Sequence, residues 1–335
     1  MKTISAVAIA LVLSCSQALY AEVQLETVLE GLTNPSGVAI QPETGHVFVA
    51  DSGAGRVIRV VDGKAEDVVT GFPKDIYGKG PMYDIGPLGL AFLDKDTLVV
   101  GDGSLPDGEE MLRVYTIPAA GSPAIACDQM NASFTLPETE DLKGEGNFYA
   151  LAVTKNAIYA TSNGDDTKGW VARAEIEGNN VLNFERFLAT KEAVEVDAPV
   201  GIAISPRGEL VVGQMGEINI PHDSLLTFYE ASSGKLLLNL PTGLYDITSV
   251  AYSPKGQLYA LDFAWMDEPA GGLFQLIAQR EDGKQTLKAE KIVALDKPTA
   301  MTFDKDGALY ITVFGTSAEG DTVKSGKLLK IAPGL

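Results

Sequence analysis

Short apolar segments alternate with turn residues along almost the whole chain, and one motif in this pattern occurs six times. Its clearest copy is Pro35-Ser36-Gly37-Val38-Ala39-Ile40, followed by a turn and a second, continuously apolar segment, Val47-Phe48-Val49-Ala50. The other copies are centred on Leu90, Leu151, Ile202, Val250 and Met301, on average about 53 residues apart. A repeat of this length indicates one supersecondary unit per copy, which buries its apolar face only against its neighbours.

Each copy predicts short β-strands separated by Pro, Asp and Gly turn residues. The first segment is small and apolar, which suits an inner strand crowded around a central axis. The second is apolar on both faces and is expected between neighbouring sheets. A third segment follows, and in most copies a fourth, more polar one suits an outer edge facing water. We therefore predict an all-β fold, a six-bladed β-propeller of four-stranded antiparallel blades without a sizeable helix.

The two ends of the chain predict how the ring closes. The sixth copy stops after its third strand at Ile331, while Val23–Leu29 forms a strand that has no place in the first copy. Pairing this N-terminal strand with the last blade completes that blade and hides an edge.

The first 21 residues have the layout of a secretory signal peptide. A charged start at Lys2 precedes a short apolar run from Ile4 to Leu13 and a small-residue site near Ala18 or Ala21. This run is too short for a transmembrane helix, so we expect a secreted or periplasmic protein with residues 22–335 as one domain and no transmembrane segment. Lipid attachment at Cys15 ranks second, because Leu13 stands where a lipoprotein signal usually has a small residue. After cleavage only Cys127 remains, which we expect to be a quiet, buried thiol.

The net charge of −19 limits the classes of partner. Such a surface repels phosphate backbones, so we expect no nucleic-acid partner. We interpret the acidity mainly as a solvated surface of a monomer, compatible with cations or basic partners.

The first copy also carries a family resemblance. Pro35-Ser36-Gly37-Val38-Ala39, then Gly45-His46-Val47-Phe48-Val49-Ala50-Asp51-Ser52-Gly53 and Arg56-Val57, resembles the NHL-repeat family of six-bladed propellers. Gly53-Ala54-Gly55 stands where that family has an Asn-His pair. The resemblance spans essentially the whole chain after residue 21 and implies the fold. Its members range from protein binders to lactone hydrolases, so it does not choose a function.

In a propeller, the loops between second and third strands and the segments leading into each first strand gather on one face. Here these segments are long and acidic, as functional loops often are. We predict a pocket ringed by four carboxylates that could hold Ca²⁺ or a polyol: Asp84, Glu145, Asp197 and Asp246. The alternative, given even weight, is that these carboxylates only accept hydrogen bonds from nearby backbone N–H groups.

Three further residues complete the candidate set. Asn147 lies in the segment before the third copy, and His222 in the long loop of the fourth. Trp265 could form an aromatic platform for a sugar or peptide, together with Tyr245, Phe263 and Met266. The alternative is core packing between blades, which we favour for Phe263, whereas Trp265 lies in a loop and is expected to be more open.

The scarcity of histidine limits the chemistry. His46 and His222 are the two histidines of the chain and are predicted on opposite faces, which excludes a histidine-rich metal centre. A Ser-His-Asp triad would have to use His222, which we interpret as an exposed loop residue. The sequence contains no nucleophile elbow, phosphate-binding loop or paired-cysteine motif.

Two functions remain open. An enzyme would resemble the regucalcin and gluconolactonase propellers, which carry Glu-Gly-Pro near the first blade and Pro-Asn-Gly before a later inner strand. Here Glu30-Gly31-Leu32 retains part of the first motif, and Val200 replaces the metal-binding amide of the second. We favour a binding scaffold that takes a protein or small polar ligand on its loop-rich face. The alternative is a calcium-dependent lactonase with the metal on the axis.

Overall fold

The computed structural model describes residues 23–78, 80–164, 168–178, 180–317 and 324–335. Six blades surround a central axis, and the predicted fold class is confirmed. The predicted signal peptide and Cys15 lie outside the described residues. Export therefore stays a prediction.

The chain begins with β1 (Leu25–Leu32), which belongs to the last blade. Blade 1 then follows as β2 (Pro35–Ile40), β3 (Val47–Asp51), β4 (Arg56–Val61) and β5 (Lys64–Thr70), with a 3₁₀ turn at Ser52–Ala54. A separate two-stranded hairpin comes next, β6 (Asp75–Tyr77) and β7 (Tyr83–Ile85).

A short strand from the blade 2 segment pairs with the outer strand of blade 1. Blade 2 itself contains β8 (Pro87–Phe92), β9 (Thr97–Asp102) and β10 (Leu112–Thr116), after which β11 (Ile125–Ala126) pairs parallel with β5 before β12 (Ala132–Phe134) completes the blade. Cys127 follows β11 and is half-buried, with its Sγ 3.0 Å from the Gly71 carbonyl oxygen.

The remaining blades are regular, and one short helix interrupts them. Blade 3 contains β13 (Leu151–Val153), β14 (Ala157–Ser162), β15 (Trp170–Glu177) and β16 (Asn180–Ala189), followed by the helix α1 (Thr190–Val194). Blade 4 contains β17 (Pro199–Ile204), β18 (Glu209–Gln214), β19 (Leu225–Glu230) and β20 (Leu236–Pro241). Blade 5 contains β21 (Ile247–Tyr252), β22 (Leu258–Asp262), β23 (Gly272–Glu281) and β24 (Lys284–Ala294), with a 3₁₀ turn at Glu268–Ala270. Blade 6 contains β25 (Pro298–Phe303), β26 (Leu309–Val313), β27 (Gly326–Ile331) and β1.

The small residue at the third position of each repeat lets neighbouring inner strands approach closely. A Cβ added at Gly37 would lie 2.0 Å from the Leu88 carbonyl oxygen of the next blade. At Gly201 it would lie 2.9 Å from the Cα of Ser249. The inner strands therefore pack backbone against backbone, which a larger residue would prevent.

The second strands form the most deeply buried layer. All five residues of β3 are buried, as are all six of β14. Apolar clusters between blades use them from both faces, which explains why their sequence is continuously apolar rather than alternating.

Ring closure joins the two ends of the chain. β1 pairs antiparallel with β27, as predicted, from Leu25 opposite Ile331 to Leu32 opposite Gly326. On the inner side, Thr299 Oγ1 donates to the Pro35 carbonyl oxygen at 2.6 Å and joins blade 6 to blade 1. The described part of the chain has no helix that is both long and apolar enough to cross a membrane.

A chain that begins at residue 34 tests this closure. Without β1 the edge of β27 is unpaired and buried contacts of Leu32 are lost, so the melting temperature should fall by about 10 °C or more. Calorimetry measures the loss. A peptide of residues 23–33 added in trans should recover part of it, whereas a scrambled peptide should not. An unchanged melting temperature in the truncated chain would contradict the closing role.

Candidate functional site

The second residue of each repeat lines the axis on one face of the ring. These six residues sit at or just before the start of the inner strands, and none carries a carboxylate, imidazole or amide: Ser36, Leu88, Tyr149, Val200, Thr248 and Thr299. Together they form the lower wall of a cavity, which we call the axial chamber.

The hydroxyl groups of this wall are committed to the scaffold. Thr248 Oγ1 donates to the Pro298 carbonyl oxygen of the next blade at 2.8 Å. Tyr149 Oη donates to the Thr299 carbonyl oxygen at 3.1 Å, and this bond runs from blade 3 to blade 6 on the opposite side of the ring. Tyr149 therefore forms the floor of the axial chamber.

The hairpin of β6 and β7 forms the roof. Tyr83 packs against Trp265 and Phe314, with ring centroids 5.6 and 4.9 Å apart, and Tyr77 packs edge-on against Trp265 at 6.2 Å. Trp265 Nε1 donates to the Gly80 carbonyl oxygen at the hairpin tip, at 3.3 Å. Phe263 stacks on Trp265 at 4.8 Å, so the upper wall is a continuous aromatic cluster.

A second cavity adjoins the first beneath β6. This side chamber lies between the hairpin and the loops around blade 4, and its volume is about 260 Å³, against about 60 Å³ for the axial chamber. Both chambers are lined by Tyr77, Asn163 and Met215. They therefore adjoin along a shared wall, and we treat them as the inner and outer parts of one candidate site.

The two parts differ in polarity. Among the described residues, no side chain that lines the axial chamber carries a charge. The side chamber is lined by Asp197 and Glu217. A bound molecule would thus meet a neutral, aromatic interior and an acidic outer wall.

The four carboxylates that the sequence predicts as one ring are placed in different environments. Asp197 lines the side chamber and accepts a hydrogen bond from Lys191 Nζ at 2.6 Å. Asp84 is about half exposed, and its Oδ2 lies 3.5 Å from Lys74 Nζ. Glu145 is buried and accepts a hydrogen bond from Ser162 Oγ at 2.9 Å.

Asp246 behaves as the alternative interpretation expects. Its side chain is 2% exposed and accepts a hydrogen bond from the Trp265 backbone N–H at 2.6 Å. Burial, with the nearby Asp262 and Asp223 carboxylates, raises the pKa of Asp246 to about 7, against the effect of that hydrogen bond. The carboxyl group therefore holds the backbone of Trp265, whose ring is part of the aromatic wall.

Asn147 is also placed at the site. It lines the axial chamber, and its backbone N–H donates to Glu110 Oε2 at 2.7 Å. Burial raises the pKa of Glu110 to about 9, helped by the carboxylates of Asp107, Asp102 and Asp75. Glu110 is thus a neutral acid at physiological pH that holds Asn147 in position.

Carboxylates at the ends of the second strands have a structural role, because they pair with arginines or accept backbone hydrogen bonds. The sequence analysis did not distinguish this role from ligand binding. Asp51 accepts a hydrogen bond from the Thr33 N–H at 2.7 Å and pairs with Arg56 at 2.8 Å. Asp102 pairs with Arg113 at 2.6 Å. Asp262 accepts hydrogen bonds from the N–H groups of Tyr245 and Asp246 at 3.0 and 2.8 Å.

None of the four predicted carboxylates lines the axial chamber. They contain no group of three or more His, Cys, Asp or Glu side chains arranged to hold a metal ion. The axis-facing hydroxyls donate to carbonyl oxygens, and Val200 stands where the resemblance implies an amide ligand. The geometry therefore does not assemble Asp84, Glu145, Asp197 and Asp246 into one cation site.

The expectation of an open aromatic platform around Trp265 is corrected. Trp265 is 9% exposed because Tyr77, Tyr83 and Phe263 enclose its ring, and it lines the axial chamber. Met266, the next residue, is exposed instead.

His222 lies apart from both chambers. Its Nδ1 is 2.8 Å from the Gly243 carbonyl oxygen, and its ring packs against Tyr245 with centroids 4.2 Å apart. Neither His222 nor Tyr245 lines the axial or the side chamber.

Sequence reasoning missed the hairpin tyrosines, Phe314, Met215 and Asn163 as a group. Asn163, Met215 and Phe314 share one signal, because each directly follows the second strand of its blade. Tyr77 carries no such signal, because the hairpin lies outside the repeat.

The fold is similar to those of several solved structures at low sequence identity. A protein from Thermus thermophilus assigned as an oxidoreductase (glucose dehydrogenase) matches with a TM-score of 0.63 and 17% identity, over 92% of this chain and all of the other. A luciferin-regenerating enzyme matches with a TM-score of 0.58 and 12% identity, over 93% and 96% of the two chains. A gluconolactonase from Xanthomonas campestris matches with a TM-score of 0.55 and 15% identity, over 92% and 89%.

These likenesses bear out the fold and are compatible with the resemblance to NHL repeats. At such identities a shared propeller says nothing about shared chemistry. No protein-family model and no curated protein sequence matches the chain.

The titration of Asp246 gives a testable consequence. Its folded-state pKa of about 7 lies above the ordinary value of 3.8, so the folded protein keeps a proton that the unfolded chain releases. The stabilising contribution is fully present below pH 4 and is lost as the pH rises to about 7. The free energy of unfolding should fall over this range, by on the order of 4 kcal/mol for this group.

Fluorescence reports the same event locally. In a Trp170→Phe background Trp265 is the remaining tryptophan, and its emission should change with a midpoint near pH 7. Asp246→Asn should abolish the change, whereas Asp84→Asn, in the other Tyr-Asp-Ile triplet, should retain it. A transition that survives Asp246→Asn would assign the titration to another group.

Proposed function

We propose that this protein is a small-molecule-binding propeller whose site is the axial chamber together with the side chamber. The observation that carries the proposal is the aromatic cluster of Phe263, Trp265 and Phe314, which meets the hairpin tyrosines over the axis. Aromatic side chains held against a concave, water-poor surface are typical of sites that bury a ring.

The size of the site supports this proposal. The axial chamber of about 60 Å³ is smaller than an apolar cavity of about 150 Å³ that is known to hold benzene. The side chamber of about 260 Å³ adjoins it, and a ligand that extends into both chambers has the volume that small-molecule sites typically offer. The acidic outer wall agrees with our expectation from the sequence that the ligand binds at an acidic, loop-rich face.

Isothermal titration calorimetry with indole tests the site. Indole should bind with a Kd in the micromolar range, because its ring matches the aromatic wall. Val200→Phe should weaken binding at least about tenfold, since Val200 is 5% exposed and faces the axial chamber. Val61→Phe, at the end of β4 and outside both chambers, is the matched control. Equal binding to both variants, or none to the parent protein, would overturn the proposal.

Lactone hydrolysis is the second candidate, supported by the propeller likeness to a gluconolactonase. Among the described residues, no carboxylate lines the axial chamber, where the calcium ion of such an enzyme is expected. We therefore expect that the protein hydrolyses no member of a panel of sugar lactones faster than the spontaneous rate, with or without added calcium. Hydrolysis is measured by the release of acid. Turnover that is abolished by chelation would replace the binding function with the enzymatic one.

A further inference from the structure

Asn163 occupies the wall that the two chambers share. It follows β14 directly, and its backbone N–H donates to the Gly146 carbonyl oxygen at 3.2 Å, which fixes the residue in place. The side chain is nine-tenths buried, at 9% exposure, and lines both the axial and the side chamber.

The acceptor atom of this side chain is unused by the scaffold. Asn163 Oδ1 accepts no hydrogen bond within the described part of the chain, although it is shielded from solvent. An unsatisfied buried acceptor costs free energy that a folded protein normally avoids, so each one needs a reason. A bound molecule that donates a hydrogen bond at this wall supplies such a reason.

A second polar atom in the axial chamber is also without a partner. Tyr83 Oη makes no hydrogen bond to any described residue, and it is enclosed by the aromatic cluster. Burial and the nearby Glu268 and Asp296 carboxylates raise the pKa of Tyr83 to about 12. The hydroxyl group therefore stays neutral and can donate or accept.

The electrostatics of the site select against anions. Among the described residues no cation lines either chamber, while the side chamber is faced by Glu217 and by Asp197, whose charge is paired with Lys191. The whole chain carries a net charge of −19. An anion would lose its hydration in the axial chamber without finding a compensating charge.

We infer that the ligand is an uncharged, ring-bearing compound whose N–H or O–H group donates to Asn163 Oδ1, so that Asn163 determines the specificity of the site. This inference rests on the proposed binding function and names the class of its ligand. The ring lies against the aromatic wall, and Tyr83 Oη meets a further polar atom of the ligand.

The matched pair of indole and 1-methylindole isolates the donor. The two compounds share the ring, but 1-methylindole cannot donate a hydrogen bond. Calorimetry should show indole binding about tenfold more tightly, because only indole satisfies the buried acceptor. Indole-3-acetate, an anion of the same ring, should bind more weakly than either.

The substitution Asn163→Leu keeps the approximate shape of the side chain and removes the acceptor. It should make the affinities for indole and 1-methylindole equal, mainly by weakening the binding of indole. The unliganded variant should melt at the same temperature as the parent protein or higher, since an unsatisfied buried atom has been removed. Asn239→Leu, on the exposed outer strand β20, is the control and should keep the tenfold preference.

The outcomes separate this inference from the function on which it rests. If indole and 1-methylindole bind the parent protein equally and Val200→Phe weakens both, the site stands and the role of Asn163 falls. A marked drop in the melting temperature of Asn163→Leu would show that its amide serves the scaffold, and would also overturn the inference. Tight binding of indole-3-acetate would overturn the exclusion of anions. If no indole binds, the proposed function itself fails.

Discussion

The rest of the structure depends on the close approach of six inner strands around one axis. Gly37 lies so near the Leu88 carbonyl oxygen that no side chain fits between them, and Gly201 meets the next blade in the same way. This spacing brings the second residue of every repeat to the axis. It also leaves the closing strand β1 as the element that prevents the ring from opening at β27.

The distribution of charge follows from that arrangement. Acidic residues are abundant, yet many have structural partners within the fold. Asp51 and Asp102 pair with arginines, and Asp262 accepts hydrogen bonds from backbone N–H groups. The axis itself is neutral among the described residues. An acidic protein can therefore contain an uncharged, aromatic-lined cavity at its centre.

The sequence predicted the fold more completely than the site, and the reason is physical. Blade strands recur with a fixed period because each packs in the same environment, and the leftover strand before Pro35 indicated how the ring closes. Asn147, Trp265 and Asp197 were also predicted and do line the chambers. Asp246 and Glu145 are buried by contacts with residues of other elements, which the sequence does not display. The hairpin roof lies outside the repeat, so Tyr77 had no equivalent copy, and Tyr83 was matched only by Tyr245 of the other Tyr-Asp-Ile triplet, which lines neither chamber.

The hydrogen bond from Tyr149 to Thr299 bears on how the ring can respond to a bound molecule. Because it links blade 3 to blade 6, it connects two opposite blades directly across the axis, whereas blades of a propeller otherwise contact their neighbours. Moving these two blades apart would break the bond. Adjustment to molecules of different size is therefore expected in the hairpin and the loops rather than in the spacing of blades 3 and 6.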